Sequence, residues 1–226
     1  MIISTFNVQN DTKIYKESKS HEISNYLINN KIDFLGLQEV FPKCNHDLKK
    51  LLSDYNIIGK YRFLIRPYGN EKNPIITKYK ILDYKTYRLP FRPSKLKRVM
   101  TYIKTIIDGK EISIYNTHLE VGNKEVQKNQ LAKIYEIISL DNNPKILMGD
   151  FNLKIGNPLF DEFILLLEKL NIKRIPILEK TFKASIDTKA IDHIFISSEF
   201  KITDSKVIHD LSVSDHYPVL VDIYIK

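Results

Sequence analysis

Six places in this sequence set strongly polar side chains at the end of, or inside, an otherwise apolar run. Asn7 lies near the end of the run from Ile2 to Val8, Glu39 follows Phe34 to Gln38, and His118 follows Ile112 to Asn116. Asp150 and Asn152 follow Lys145 to Gly149, Asp192 sits within Ile191 to Ser197, and Asp215 and His216 precede Tyr217 to Ile225. Any one of them has an ordinary explanation, because Asn and Asp favour the turns that end strands. Together they draw only on carboxylate, amide and imidazole groups, and strands that end on a common rim would hold such groups rigidly in one place. The single cysteine, Cys44, rules out an intrachain disulfide and a thiolate metal cluster, and it reads as a small apolar residue. Oxygen-rich donors without thiolates suit a hard cation such as Mg²⁺, with Mn²⁺ as an alternative. Two imidazoles and a further acid could activate water and protonate a leaving oxygen near neutral pH. A metal adds neutralisation of the charge that develops on a phosphoryl oxygen. That combination is what phosphoester hydrolysis requires.

The elements that must position these groups are legible as short β-branched and aromatic runs. Besides the runs already named, Tyr61 to Ile65, Ile75 to Tyr79 and Val99 to Ile107 read as strands. Four helical patterns lie between them. Lys16 to Asn30 groups Ile23, Tyr26 and Leu27, and Asn45 to Tyr55 groups Leu48, Leu51 and Leu52. Lys124 to Leu140 sets Val126, Ile134, Ile137 and Ile138 against a polar face, and Leu159 to Leu170 opens on Asn157-Pro158, a cap followed by a first-turn proline. Many strands with a few helices predict a layered α/β protein, most simply two packed sheets flanked by helices. No repeat, low-complexity tract or linker divides the chain, so residues 1–226 read as one domain, with a monomer favoured. No apolar run approaches the roughly 18–20 residues of a membrane span, and no leader pattern follows Met1, which predicts a cytoplasmic protein.

The net charge of +8 permits a polyanionic partner such as nucleic acid. It does not demand one. Lysines outnumber arginines 29 to 6 alongside abundant Ile, Asn and Tyr, a bias that A/T-rich codons would produce, and the lysines are dispersed.

In order along the chain, Thr5-Phe-Asn7, Leu37-Gln-Glu39, Asn116-Thr-His118-Leu, Gly149-Asp-Phe-Asn152, Ile191-Asp192 and Ser214-Asp-His216 resemble the motifs of the endonuclease/exonuclease/phosphatase superfamily. The stretch Asn73-Pro-Ile-Ile-Thr-Lys-Tyr-Lys-Ile81 is similar to the family's Gly-Asn-Ala-Ile-Leu-Ser strand. The resemblance implies a DNase I-like, four-layer α/β sandwich, two central mixed β-sheets flanked by helices, with the site at one edge of the sheets. It implies Glu39 as principal metal ligand, Asn7 beside it and Asp215 as an additional ligand. Asp150 would orient or deprotonate the attacking water, and Asn152 would hold a transition-state phosphoryl oxygen. His216, oriented by Asp192, would bond the scissile phosphate, and His118 would act on phosphate or leaving group. The base remains open between Asp150 and His216. Asn73 and Arg98 are candidate phosphate contacts, and Arg92 is a weaker one. Gln9 and the Asn116-Thr-His118 pattern depart from the AP-endonuclease branch and point to the His-containing branches.

Spacing adds separate expectations. Asp150 and Asn152 share a face if the chain stays extended, whereas His193 must face away from Asp192 and is read as structural. His21, His46 and His209 fall outside every motif and read as surface residues. A phosphodiesterase, with nucleic acid among its substrates, is the leading functional reading. A phosphomonoesterase or phospholipid hydrolase with the same core is the alternative, and a non-catalytic binding module is disfavoured because no acidic or imidazole member is missing.

Overall fold

In the computed structural model, residues 1–9, 19–61, 70–91, 97–186, 190–211 and 213–226 are described. Sixteen elements follow in chain order. They are β1 (Ile2–Asn7), α1 (Ser20–Asn29), β2 (Phe34–Gln38), α2 (Pro42–Leu51), β3 (Asn56–Ile58), β4 (Ile75–Thr77), β5 (Ile81–Arg88) and β6 (Val99–Ile107). The second half holds β7 (Lys110–His118), α3 (Lys124–Ser139), β8 (Lys145–Asp150), α4 (Pro158–Lys169), β9 (Ile172–Arg174), β10 (Asp192–Ser197), β11 (Phe200–Val207) and β12 (Val219–Ile225).

The strands form two six-stranded sheets, β11-β12-β1-β2-β4-β3 and β5-β6-β7-β8-β10-β9. Each is mixed: β1–β2 and β7–β8 pair in parallel, and their other neighbours pair antiparallel. The central strands are buried on both faces, so alternation sorts their side chains between two cores. Ile146 and Met148 of β8 join Ile3, Phe34, Ile114, Ile194 and Val221 between the sheets. Leu147 turns outward to Leu131, Ile134, Phe160 and Phe163 on α3 and α4. On the other side Leu35 and Leu37 meet Ile23, Leu27 and Leu48 of α1 and α2. The result is the four-layer sandwich expected, helices outside and sheets within. Each fully buried Ile, Leu or Phe contributes about 1.5–3 kcal/mol before chain entropy is set against it.

The helix boundaries follow their caps. Asn123 accepts the Val126 amide at 3.1 Å to open α3, and Asn157 accepts the Leu159 amide at 3.1 Å ahead of Pro158 in α4. The expected helix from Asn45 to Tyr55 begins about one turn earlier, because Pro42 fits the first helical turn, and it ends at Leu51. The expected strand from Tyr61 to Ile65 falls, apart from Tyr61, outside the described residues, as does Arg92.

Four strands escaped the sequence reading, namely β3, β5, β9 and β11, and these are the four sheet edges. β5 and β11 expose most of their side chains, including Asp83, Lys85, Lys201 and Asp204. Edge strands carry charge that blunts edge-to-edge pairing, so they lack the apolar run by which central strands are read.

One backbone position is dictated by close approach. Gly149 pairs with Thr117 between the parallel β7 and β8, at φ +150°, and a Cβ there would lie 2.1 Å from the Thr117 carbonyl oxygen. No side chain fits. Gly149→Ala is therefore expected to cost about 3 kcal/mol or more, the upper end of the range for single substitutions. A urea midpoint indistinguishable from that of the parent would contradict the register.

Candidate active site

Strand register assembles the site. Parallel pairing sets His118 opposite Asp150, and antiparallel pairing sets Asp192 opposite Asp150, so three strands present these residues in one row. In the facing sheet Asn7 pairs with Gln38, and Glu39 follows immediately. Asn7 then reaches across. Its Nδ2 donates to Asp150 Oδ2 at 2.9 Å and to Glu39 Oε1 at 3.2 Å, joining the two sheets through one amide.

Around Asp150 the other groups close in. His118 Nε2 lies 3.4 Å and His216 Nε2 3.7 Å from Asp150 Oδ2. His118 Nε2 is also 3.9 Å from Glu39 Oε1. His216 Nδ1 donates to Asp192 Oδ2 at 2.9 Å, which makes an Asp–His pair facing Asp150. All of these side chains are buried except Glu39, whose side chain is 26% exposed and marks the mouth. Burial, then the charge of Asp192, push the Asp150 carboxyl up to about 7, against the opposing pull of His216 and the hydrogen bonds from Asn7 and Asn152. Burial pulls the His216 imidazole down, but Asp192 and Asp150 outweigh it and carry the ring up to about 10.

The local backbone is shaped for this. Glu39 and Asn152 both adopt left-handed conformations, at φ 57° and 51°, uncommon for residues with a side chain. The expectation that Asp150 and Asn152 share an extended face is corrected accordingly. The chain turns at Asn152, whose amide N–H donates to Asp150 Oδ1 at 2.9 Å while its Nδ2 donates to the Leu119 carbonyl at 3.0 Å. Asp150 is thus oriented by its own turn.

Asp215 is half-buried, its Oδ1 3.3 Å from the Ser214 hydroxyl, which donates to the Asn7 carbonyl at 2.7 Å. Asn73 and Arg98 lie in a second network. Asn73 Nδ2 donates to the Val99 carbonyl at 3.0 Å, and Arg98 Nη1 meets Glu71 at 3.2 Å and His118 Nδ1 at 2.9 Å. Three features were not singled out from the sequence. Gln38 and Asn116 staple the sheets below the site, with Gln38 Nε2 2.6 Å from Asn116 Oδ1, and Asn116 Nδ2 donating to the Leu37 and Pro74 carbonyls. Thr181 accepts the Ile191 and Asp192 amides at 3.1 Å each, and the Phe182 ring packs 5.0 Å from His216. Glu71 and Glu120 are buried carboxylates beside Arg98. Gln38 and Asn116 sat inside the quoted motifs. The signal was a buried amide in an apolar strand, which needs partners wherever it falls.

A family model described as Endonuclease/Exonuclease/phosphatase family matches residues 4–216. The chain belongs to the endonuclease/exonuclease/phosphatase family. No curated protein sequence matches it. Among solved structures, it is similar to an endonuclease/exonuclease/phosphatase from Bacteroides vulgatus at TM-score 0.84 and 22% identity, covering 100% of this chain and 98% of that one. A mannosyl-6-phosphatase from Bacteroides thetaiotaomicron matches at 0.81 and 22%, with both chains covered in full. D. rerio TDP2 in complex with a single-strand DNA product matches at 0.81 and 16%, covering 99% and 98%. These likenesses extend the fold across the whole chain.

The residue beside Asp192 turns the other way, as alternation predicts. His193 is buried in the outer core between Phe151 and Phe160, its Nε2 2.9 Å from the Leu153 carbonyl. Burial drives its pKa down to about 3 from 6.5, so the folded chain keeps it neutral where the unfolded chain protonates it. The unfolded state then binds more protons between those values, and stability falls as pH falls through that window. One such proton weakens folding by about 1.4 kcal/mol per pH unit. Urea unfolding of the parent and of His193→Gln between pH 7 and pH 4 should show the variant losing this slope; identical slopes would contradict a neutral buried His193.

Proposed function

We propose that the chain is a divalent-metal-dependent phosphodiesterase that hydrolyses its ester by in-line attack of water, with nucleic acid among its substrates. One observation carries the reading. Asp150 is a buried carboxylate with nitrogen atoms of Asn7, His118 and His216 at 2.9, 3.4 and 3.7 Å from Oδ2 and the Asn152 amide on Oδ1. A carboxylate so placed receives the proton of an attacking water. His216, oriented by Asp192, donates to the scissile phosphate. Asn152 holds a phosphoryl oxygen, and His118 serves the phosphate or the leaving oxygen.

The donor set fits a hard cation. Glu39, Asp215 and the Asn7 Oδ1 offer oxygen, and the only cysteine, Cys44, stands in no motif. Glu39 at the mouth would hold Mg²⁺ or Mn²⁺, with Asp215 and Asn7 as further ligands. When bound, the cation neutralises charge that develops on the phosphoryl oxygen. Asn7 turns Nδ2 towards both carboxylates and Oδ1 towards the Gln9 amide, so its service as a ligand requires a half-turn of the amide. Asp150, Asp192 and His216 also bring ligand atoms within 4.8 Å of one another. The His216–Asp192 hydrogen bond and the imidazole suit proton handling better than Mg²⁺, which prefers oxygen.

Two observations bear on the substrate. A positively charged chain and the likeness to a DNA-bound TDP2 support a diester of nucleic acid. The likeness to a mannosyl-6-phosphatase supports a phosphomonoester.

Turnover of bis(4-nitrophenyl) phosphate, 4-nitrophenyl phosphate, DNA and RNA should require Mg²⁺ or Mn²⁺ and stop in EDTA. Metal-independent turnover, or none on any ester, would count against the reading. Glu39→Gln, Asp150→Asn and His216→Ala should each lower the rate about a hundredfold or more while the circular dichroism spectrum is kept. With DNA or RNA as substrate, KM should rise steeply between 50 and 200 mM salt, on the scale of phosphate contacts. A KM indifferent to salt would favour the phosphomonoester.

A further inference from the structure

We propose that Arg98 is a positioning residue that holds His118 in a single tautomer, its ring proton on Nε2 and aimed into the site. The use made of that proton rests on the hydrolase reading; its location does not. Both sides of the ring agree. Arg98 Nη1 stands 2.9 Å from His118 Nδ1. A guanidinium offers N–H donors and no acceptor, so Nδ1 is the bare nitrogen that accepts. Across the ring, Nε2 faces the acceptor Asp150 Oδ2 at 3.4 Å, with Glu39 Oε1 farther off at 3.9 Å. The opposite tautomer would set donor against donor at Nδ1 and a lone pair against the Asp150 carboxylate at Nε2.

Glu71 is the obvious competitor for Nδ1, and distance decides against it. Its Oε1 lies 3.2 Å from Arg98 Nη1 but 3.8 Å from His118 Nδ1, beyond hydrogen-bond reach. The carboxylate therefore anchors the guanidinium, and the guanidinium addresses the ring. Glu120 Oε2 stands 4.0 Å from Arg98 Nε on the other edge. Side-chain exposures of 7% for Arg98, 5% for Glu71 and 8% for Glu120 make this a charged group enclosed by protein. Such a group keeps one geometry, because a displaced buried charge would lose its compensation.

The backbone holds it too. Leu89 N–H donates to the Arg98 carbonyl at 3.0 Å, and Asn73 fixes the next residue through the Val99 carbonyl. Gln130 and Gln127 of α3 bind the Glu120 amide and carbonyl at 2.9 and 2.8 Å. His118 therefore meets its substrate as an N–H donor, to a phosphoryl or a leaving oxygen, and leaves acceptance of the water proton to Asp150.

Nitrogen-15 NMR of the full chain with labelled histidine at neutral pH tests this directly, with His118→Gln assigning the resonances. The expected spectrum has His118 Nδ1 bare and Nε2 protonated. A proton on Nδ1, alone or together with Nε2, overturns the proposal. This measurement needs no turnover, so it stands apart from any failure of the hydrolase reading. Kinetics on bis(4-nitrophenyl) phosphate give a second readout. Arg98→Met should lower kcat about 10–100-fold with KM little changed, as for other loss of orienting partners, and Arg98→Lys should restore part of it. A raised KM at unchanged kcat would make Arg98 a phosphate clamp instead and refute positioning. Should Arg98→Met not fold, Arg98→Lys and the parent spectrum decide.

Discussion

A carboxylate buried between two sheets needs compensation from every direction, and much of this structure is arranged to give it to Asp150. Its hydrogen bonds come from Asn7 of the facing sheet and from the turn at Asn152 that follows it. The imidazoles of His118 and His216 stand beside it, with Nε2 atoms 3.4 and 3.7 Å from Oδ2. Left without these partners, an ion at that depth would be strongly destabilising. The same enclosure lets small shifts in the neighbours alter its proton affinity, as an acid–base group requires.

Holding two sheets at the spacing Asn7 can bridge is a packing problem before it is a chemical one. The apolar interior of Ile3, Phe34, Ile114, Met148 and Ile194 sets the separation, and the Gln38–Asn116 amide pair locks the register just below the site. Gly36 leaves the room for that pair, since a Cβ there would stand 2.8 Å from Asn116 Oδ1. Gly149 brings β8 against β7 closely enough for Asp150 to lie beside His118. Apolar packing resists displacement in all directions but names no register, whereas buried amides that must find partners do.

Charge is organised in two shells around the histidines. His216 is oriented by Asp192, itself held by Thr181 through its amide, and His118 contacts Arg98, anchored by Glu71. One imidazole thus has an acceptor behind it and the other a donor. Two rings of the same residue type are set in different protonation patterns by neighbours remote in sequence.

The residues that converge at the site were legible in the sequence because they are polar types at strand ends. Asn7, Glu39, His118, Asp150, Asn152, Asp192 and His216 could be picked out one run at a time, as could the central strands whose two buried faces make them apolar throughout. The edge strands were not legible, because exposure gives Ile81–Arg88 and Phe200–Val207 the composition of loops. Nor could spacing reveal the turn at Asn152, where a left-handed residue replaces the extended chain. Residue identity alone picked out the carboxylate, amide and imidazole groups that gather at the site. Tertiary structure alone decided their partners: register across β7, β8 and β10 put Asp150 at the centre, and the pairing of β6 with β7 gave Arg98 to His118. Such contacts span distances along the chain that local pattern does not encode.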